Sequence, residues 1–232
     1  MINFNKGDYK IERDLIVDQI FEVLKKQILA GKLKPNERLI EKQIANSFNV
    51  SRSPVREALA KLEHEGLVYR KKQYRRVEVI TEKKIVEQYQ LWQMIEGYGA
   101  QLACQNVEDK DIQKLENICQ KMESNVEDLA MYRNLNLSFH EQLVQSCPNK
   151  KIIEMHTQVI THNRWVMNFT LMDEMDPKLS ISDHRNILEA YKEKQLVALE
   201  NYIRSHIENA LKRVKNNFNR YSEYEGSSED IL

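Results

Sequence analysis

The chain has 232 residues, of which 41% are hydrophobic and 30% are charged, and its formal net charge is zero. This composition excludes an intrinsically disordered chain, and no apolar run approaches the roughly 20 residues needed to span a bilayer. Residues 1–80 carry 17 lysines and arginines against 11 acidic residues, whereas residues 81–232 carry 18 against 24, so the basic first third is the part expected to contact nucleic acid.

The start of the chain and its cysteines indicate a cytoplasmic protein. Residues 1–10 are polar and lack the apolar core of a signal peptide. Residues 1–11 are expected either to be disordered or to form a flexible arm against a partner subunit. Three cysteines occur without metal-type pairing and are expected to be buried, reduced thiols: Cys104, Cys119 and Cys147.

The first third of the chain predicts three helices followed by a β-hairpin. Asp14 can cap the first helix, and the hairpin has a basic tip over residues 71–75. This order of elements is typical of a winged helix-turn-helix, which we assign to residues 1–80. The predicted elements are helices over 15–30, 41–48 and 54–65 and strands over 67–70 and 76–80.

Residues 51–59, Ser-Arg-Ser-Pro-Val-Arg-Glu-Ala-Leu, predict the start of a helix that carries two arginines. Ser53 can cap this helix, and Pro54 fits its first position because the missing N–H has no intrahelical partner there. Arg52 would then precede the cap and Arg56 would lie in the first turn. Two guanidinium groups at a helix N-terminus suit phosphate oxygens and guanine edges in a DNA major groove.

From Thr81 onward the β pattern disappears and helical periodicity continues. Six helices with short loops indicate an all-α antiparallel bundle over residues 81–220, followed by an acidic tail over residues 221–232. The fold class is therefore mainly α, with an N-terminal winged helix-turn-helix and a helical bundle after it. The predicted helices of the bundle are 84–106, 109–128, 131–146, 149–172, 177–193 and 195–218.

Short motifs in both parts give the chain a family resemblance. The segments in the first part are Glu37-Arg38-Leu39 with Glu41, residues 50–59, Leu62-Glu63 and Glu65-Gly66-Leu67-Val68. Those in the second part are Ile95-Glu96, Ser138-Phe139-His140, residues 183–187 and His206-Ile207. Over residues 12–218 the chain resembles the GntR family of bacterial transcription regulators, in the FadR-like branch with an FCD ligand domain. The resemblance implies a regulator, usually a repressor, that binds a near-palindromic double-stranded DNA operator as a homodimer.

The DNA-binding residues are expected to lie on the arginine-bearing helix and the hairpin. Arg52 and Arg56 are expected to contact bases or nearby phosphates, and Arg38 the DNA backbone. Taken singly, each of these arginines would more often be a solvated surface residue than a DNA contact. The family usually has glycine at the wing tip, where this chain has Tyr74, so the tyrosine is expected either to alter this DNA contact or to shift it to the basic residues beside it. Further phosphate candidates are Ser51, Ser53, Arg75 and Arg76.

A second group of polar residues lies in the predicted bundle. Asn136 and His140 are four residues apart and share one helix face, while His184 and His206 lie on two later helices. The resemblance implies a divalent metal ion, of the zinc, nickel or manganese type, held by an aspartate and three histidines. Asn136 stands at the aspartate position. The alternative is a set of hydrogen-bonded histidines without a metal.

The chemistry of this group predicts an anionic effector. Three neutral imidazoles and an amide leave the charge of a divalent cation uncompensated, so an organic acid should fill the open coordination positions. Arg164 or another nearby donor is expected to contact this acid. Trp92 stands where the family often has a ligand-facing arginine and is expected in the core or in the wall of the pocket. His156 and His162 are expected to be structural or surface residues.

Two other functions compete with the regulator. A metal-dependent hydrolase would use the histidine group, but the chain has no His-Glu-x-x-His segment and no carboxylate that is clearly placed as a general base. A structural DNA-binding protein would show little sequence preference, and it would leave the converging histidines unexplained.

Overall fold

The computed structural model describes residues 9–170 and 177–226, with side chains described for residues 15–168, 177 and 180–218. The chain divides into two units, residues 1–80 and residues 81–232. The first unit contains three helices and a three-stranded antiparallel sheet of strand order β1-β3-β2. Its elements are α1 (Tyr9–Leu29), β1 (Arg38–Leu39), α2 (Glu41–Phe48), α3 (Arg52–His64), β2 (Val68–Lys71) and β3 (Tyr74–Val77).

The core of the first unit forms where α1 packs against α3. Apolar residues of α1 at helical spacing, including Ile20 and Ile28, are buried as the periodicity predicts. They face buried apolar residues of α3, including Leu59 and Leu62. Gly66 follows α3 with a φ of 72°, in the left-handed region that favours glycine. The order of helices and hairpin is that of a winged helix-turn-helix, as predicted.

Two predicted helix starts are wrong. α1 is already helical at Tyr9, so Asp14 lies within the helix and does not cap it. Residues 1–8 of the expected arm lie outside the described residues, whereas residues 9–11 belong to α1. The N-cap of α3 is Ser51 and not Ser53, and Pro54 therefore occupies the third helical position. Proline is tolerated there because the first N–H groups of a helix have no intrahelical partner.

The hairpin also differs from its prediction. The turn consists of Lys72, with a φ of 56°, and Gln73. Tyr74 is therefore not at the wing tip, because it begins β3 opposite Lys71. The strand β1 was not predicted, since two residues are too few to show an alternating pattern. It pairs with β3 through Arg38 opposite Arg76.

The second unit is all-helical, which confirms the predicted fold class. α4 packs against α9, α7 and α6. The side chain of Thr81 caps α4 by accepting from the backbone N–H of Lys84 at 3.3 Å, and α4 begins at Glu82, two residues before the predicted start at residue 84. The helices are α4 (Glu82–Gln105), α5 (Asp109–Ser124), α6 (Leu129–Val144), α7 (Lys150–Thr170), α8 (Pro177–Lys192) and α9 (Leu196–Gly226).

The carboxyl-terminal boundary is the main error in the second unit. α9 continues to Gly226, well beyond the predicted end at residue 218, because no proline or glycine interrupts the sequence before that residue. Much of the predicted acidic tail is therefore helical, and residues 227–232 lie outside the described residues. The three cysteines are free and buried, as predicted. Among the described residues, no helix has the length and hydropathy needed to cross a membrane.

A close helix contact positions the polar residues of this unit. A Cβ added to Gly99 of α4 would lie 2.8 Å from a methyl group of Val144 on α6 and 3.0 Å from one of Ile152 on α7. The small residue therefore lets α4 approach both helices closely. Glu96, one turn earlier on α4, is fully buried.

Candidate functional site

Three histidines from three helices converge in the second unit. His140 of α6, His184 of α8 and His206 of α9 are at most 2% exposed. Each offers a ring nitrogen, and these atoms all lie within 4.8 Å of one another. The Nε2 atoms of His140 and His184 are 3.4 Å apart.

Asn136 lies one turn before His140 on α6 and is 4% exposed. It lines a small cavity of about 20 Å³ together with His206 and Trp92. A cavity of this size holds about one water molecule. The structure thus brings all four predicted metal-site residues into one buried region.

Glu96 connects this group to the rest of the core. One oxygen of its carboxylate, Oε1, lies 2.7 Å from Nδ1 of His140. The other, Oε2, lies 2.9 Å from Nε2 of His156 and accepts a 2.6 Å hydrogen bond from the indole N–H of Trp92. An ionised carboxylate can only accept hydrogen bonds, so His140 donates from Nδ1. In the neutral imidazole of His140, Nε2 then carries the lone pair, on the side of His184.

The charge of Glu96 is maintained despite complete burial. Burial alone would raise the pKa of this carboxyl group, but the neighbouring His140 and His156 outweigh burial and hold the pKa well below its usual range. Glu96 therefore places a negative charge directly behind one histidine of the group.

The other two histidines are held in the neutral form. Burial, reinforced by His206 and His140, lowers the pKa of His184 well below its usual value. Burial also lowers the pKa of His206, although Asp183 opposes this effect. The Nδ1 atom of His206 lies 3.2 Å from Oδ2 of Asp183, so that Nε2 remains available as a ligand atom.

This donor set fits a divalent metal ion. Neutral imidazole nitrogens are ligands for zinc, nickel and related ions. Two histidine nitrogens bound tetrahedrally to one zinc at ~2.0–2.1 Å lie about 3.4 Å apart, which matches the separation between His140 and His184. Carboxylates behind ligand histidines, as Glu96 and Asp183 are here, fix the tautomer and orientation that such sites require.

The two predicted effector residues occupy different environments. Trp92 is 2% exposed and lines the cavity. Arg164 instead forms an ion pair with Glu141 at 3.5 Å, and its side chain is 40% exposed. Arg213 of α9 is the arginine that lines the cavity.

The predicted DNA-binding arginines lie in the first unit. Arg52 and Arg56 are one turn apart on α3, and both side chains are about 60% exposed. Both form ion pairs with Glu41, the first residue of α2, at 3.3 and 3.0 Å. Ser51 and Ser53 are exposed beside them, and Ser53 Oγ donates to Glu57 at 3.4 Å.

The wing consists of the β2–β3 hairpin with β1 paired to it. Its arginines differ in exposure and in their partners. The guanidinium group of Arg38 lies 3.1 Å from the ring centroid of Tyr74, so the tyrosine supports an exposed arginine. Arg75 is only 11% exposed and pairs with Glu63 at 2.9 Å. Arg76 donates to the backbone carbonyl of Asn36 at 2.7 Å. Arg75 and Arg76 are thus held by the fold itself.

Sequence reasoning missed the roles of Glu96, His156, Asp183 and Glu41. A signal existed for Glu96, which lies four residues after Trp92 on the apolar face of α4, because a charged residue on a buried face needs a partner. The partner His156 is 60 residues away in sequence and meets Glu96 only through helix packing. The expectation that the metal site lacks compensating charge is corrected, since Glu96 and Asp183 lie behind two of its histidines.

Comparison with known families accounts for both units. Residues 16–79 match the family described as bacterial regulatory proteins, gntR family, and residues 87–209 match the FCD domain. The first match covers α3 and the wing. The second covers His140, His184 and His206.

Relatives and solved structures agree with these matches. An uncharacterized HTH-type transcriptional regulator, YdhC of Bacillus subtilis, is 30% identical over 85% of this chain and 90% of its own length. The HTH-type transcriptional repressor RspR of Escherichia coli is 26% identical over 85% of this chain and 88% of its own length. The structure of E. coli McbR/YncC has a TM-score of 0.73 at 22% identity and covers 88% of this chain and 98% of that one, which shows a shared fold.

These findings decide between the candidate classes. The matched family and the named relatives are transcription regulators and not enzymes, which removes the metal-dependent hydrolase. The exposed arginines on α3 belong to the gntR match, and the buried histidines belong to the FCD match. The chain is a DNA-binding transcription regulator of the GntR family with an FCD domain.

Proposed function

We propose that the protein is a repressor that binds a near-palindromic operator as a homodimer and responds to a small organic acid at a metal ion in the FCD domain. Repressors occur among its relatives, including RspR and the gluconate operon transcriptional repressor of B. subtilis, which is 29% identical over 56% of this chain. Such a regulator acts in the bacterial cytoplasm, where the chromosome is. The single observation that carries the proposal is the convergence of His140, His184 and His206 inside a domain linked to a DNA-binding unit.

The proposed DNA contacts follow from exposure and position. Arg56 and Arg52 extend from the first turns of α3 and are the proposed base or near-base contacts. Arg38, supported by Tyr74, is the proposed contact to the DNA backbone. Ser51 and Ser53 are proposed phosphate contacts beside them. Arg75 and Arg76 remain phosphate candidates of lower exposure.

The proposed metal ligands are His140, His184 and His206, with the amide oxygen of Asn136 as a fourth. When bound, the metal would supply a positive centre that coordinates an oxygen of the effector. Asn136 brings no charge of its own, and the negative charges of Glu96 and Asp183 act through the imidazoles. The positions that remain open on the metal can take an oxygen ligand, and the cationic Arg213 in the cavity wall favours an anionic one.

Arg213 is the proposed partner for the rest of the effector, in the role first expected of Arg164. It lines the cavity beside Asn136 and His206, and among the described residues no carboxylate forms an ion pair with it. Both amide atoms of Asn163 on α7 are buried without a hydrogen-bond partner. Asn163 lies one turn before Met167, which lines the same cavity. A buried amide without partners is costly, which favours a polar ligand or water near this wall.

The size of the cavity supports a coupling to DNA binding. About 20 Å³ is too small for an organic acid, so effector binding must move the cavity walls. Four residues of one wall, from His206 to Val214, lie on α9. Displacement of α9 is the proposed change that alters operator affinity, because an effector acts only through different affinities for two arrangements.

The outer faces of α4 and α9 are the proposed dimer surface. They enclose a groove of about 510 Å³ on the second unit, and Met94 and Tyr98 of α4 are 65% and 59% exposed there. The groove carries both signs of charge, with Arg204 beside Glu200 and Glu208. A two-fold dimer needs such a self-complementary surface, because the same patch contributes both partners.

Native mass spectrometry combined with elemental analysis tests the proposed metal site and dimer. We expect the purified full-length protein to have the mass of two chains and to carry one divalent ion per chain. His184→Ala should lose the metal but keep the dimer mass, because His184 does not lie on the proposed dimer surface. A monomer would contradict the proposed dimer. Metal retained at wild-type stoichiometry in His184→Ala would contradict the proposed ligand set.

Calorimetry on the same preparations tests the effector class. Lactate, succinate and citrate are titrated into zinc-loaded and chelator-treated protein, and at least one should bind only when zinc is present. The isosteric variant Asn136→Asp adds a charge at the metal, so it should bind zinc more tightly and the carboxylate more weakly. Equal carboxylate binding with and without zinc would contradict direct coordination.

A further inference from the structure

The arginines at the start of α3 share one carboxylate. Glu41 accepts hydrogen bonds from Nε of Arg56 at 3.2 Å and from Nη2 of Arg56 at 3.0 Å. It also accepts from Nη2 of Arg52 at 3.3 Å and from Nη1 of the partly buried Arg75 at 3.5 Å. One acidic residue of α2 therefore joins two exposed arginines of α3 and one arginine of the wing.

The geometry at Arg56 leaves a specific edge of its guanidinium group open. Glu41 occupies the side that carries Nε–H and the adjacent Nη2–H. The end of the fork, formed by Nη1 and the second N–H of Nη2, lies outside this ion pair. That end is the one that can donate two parallel hydrogen bonds to O6 and N7 of guanine.

We propose that Glu41 is a positioning residue for sequence recognition, which holds Arg56 by one edge so that the other edge reads a guanine. The inference rests on the proposed contact between Arg56 and a base. A free arginine side chain loses rotamer freedom when it docks on DNA, and an arginine already held in one orientation loses less. Glu41 thus favours the operator through Arg56 without contacting DNA itself.

Charge gives Glu41 a second effect on recognition. Hydrogen bonds from Arg56, together with both nearby arginine charges, outweigh partial burial and lower the pKa of Glu41, which keeps it ionised. Its negative charge offsets part of the attraction between the helix start and any DNA phosphate. Non-specific binding depends mainly on that attraction, so Glu41 limits binding to unrelated sequences.

The test uses the full-length protein and a duplex obtained by in vitro selection from a random library. Affinities for this duplex and for a scrambled duplex are measured across salt concentrations. Glu41→Gln should reduce discrimination by about tenfold, the scale of one well-placed bidentate base contact. The slope of log affinity against log salt for the scrambled duplex should steepen by about one, because the loss of one negative charge raises the net positive charge near the phosphates by one.

Three comparisons separate positioning from a general loss of structure. Glu41→Asp keeps the charge but shortens the side chain, so discrimination should fall while the salt slope stays near that of the wild type. In the Arg56→Ala background, Glu41→Gln should cause a much smaller loss of discrimination, because only the charge effect of Glu41 remains. The matched control Glu22→Gln removes a charge from the exposed face of α1 and should leave discrimination unchanged. Thermal melting confirms that each variant is folded.

The outcomes distinguish this inference from the proposed function. If the wild-type protein selects a sequence but Glu41→Gln discriminates equally well, the positioning role is wrong while the regulator remains. The positioning role would also be wrong if Glu41→Gln and Glu22→Gln reduced discrimination equally. It would likewise be wrong if Glu41→Gln reduced discrimination as much in the Arg56→Ala background as in the wild type. A wild-type protein that selects no sequence would contradict sequence-specific recognition itself.

Discussion

Replacement of Arg56 by alanine is expected to weaken operator binding by about 5- to 150-fold, the range typical of an arginine that reads a base. Arg56 is exposed in the first turns of α3, and its open guanidinium edge can pair with guanine. Binding to a scrambled duplex should fall much less, since only one phosphate attraction is lost. Anisotropy titrations with both duplexes measure the two effects.

Lys61→Ala is the matched control for this prediction. Lys61 is an exposed cation on the same helix, two turns from the proposed DNA-facing end, where it pairs with Asp18 of α1. Its loss should reduce affinity for both duplexes similarly and only slightly. If Lys61→Ala and Arg56→Ala reduced operator affinity equally, Arg56 would contribute only general charge and not base recognition.

Substitution of Glu96 is expected to have the largest effect in the FCD domain. Glu96→Ala leaves the N–H groups of His140, His156 and Trp92 without their acceptor in a buried site. Loss of one partner from a buried, charged network costs about 3–5 kcal/mol of folding free energy. Urea denaturation of the metal-free protein measures this loss.

Glu96→Gln separates stability from metal binding. Its amide oxygen can replace Oε2 and keep the bonds from His156 and Trp92, but its NH₂ group would then face Nδ1 of His140. His140 must then accept at Nδ1 and carry its proton on Nε2, which removes the lone pair from the metal side. We expect Glu96→Gln to fold and to bind zinc about 10- to 100-fold more weakly than the wild type. This is the usual effect of losing a group that orients a ligand histidine, on the order of 10- to 100-fold.

A chelator competition assay with zinc tests this expectation. Glu123→Gln is the matched control, because it removes a carboxylate that pairs with Arg185 at the exposed surface of the same domain. Its zinc affinity should equal that of the wild type. Wild-type zinc affinity in Glu96→Gln would show that the buried carboxylate does not set the tautomer of His140.

Much of the fold was predictable because its signals are local. The apolar period of α1 depends on residues close in sequence, and this prediction agrees with the structure. The start of α3 was predicted two residues late because Ser53-Pro54 suits a cap and first position as well as Ser51-Arg52 does. The strand β1 depends on pairing with β3, almost 40 residues later, and its two residues carry no pattern of their own.

The candidate site was only partly predictable for the same physical reason. The spacing of Asn136 and His140 and the family motifs pointed to the histidine group. The contacts of Glu96 with His140 and His156 span 44 and 60 residues, and they exist only because three helices pack together. Arg213, and not the expected Arg164, lines the cavity. Which helix faces the cavity depends on how the helices pack, and the periodicity of a single helix does not specify this.

Control of DNA binding through the histidine site is tested most directly by the operator affinity of the zinc-loaded full-length protein with and without a saturating carboxylate. The carboxylate is the one that binds most tightly in calorimetry, and His184→Ala is measured in parallel. We expect the carboxylate to change the operator affinity of the wild type by at least about fivefold, the lower end of typical allosteric coupling. The operator affinity of His184→Ala should be the same with and without the carboxylate. An unchanged wild-type affinity, or an equal change in His184→Ala, would contradict control of DNA binding through the histidine site.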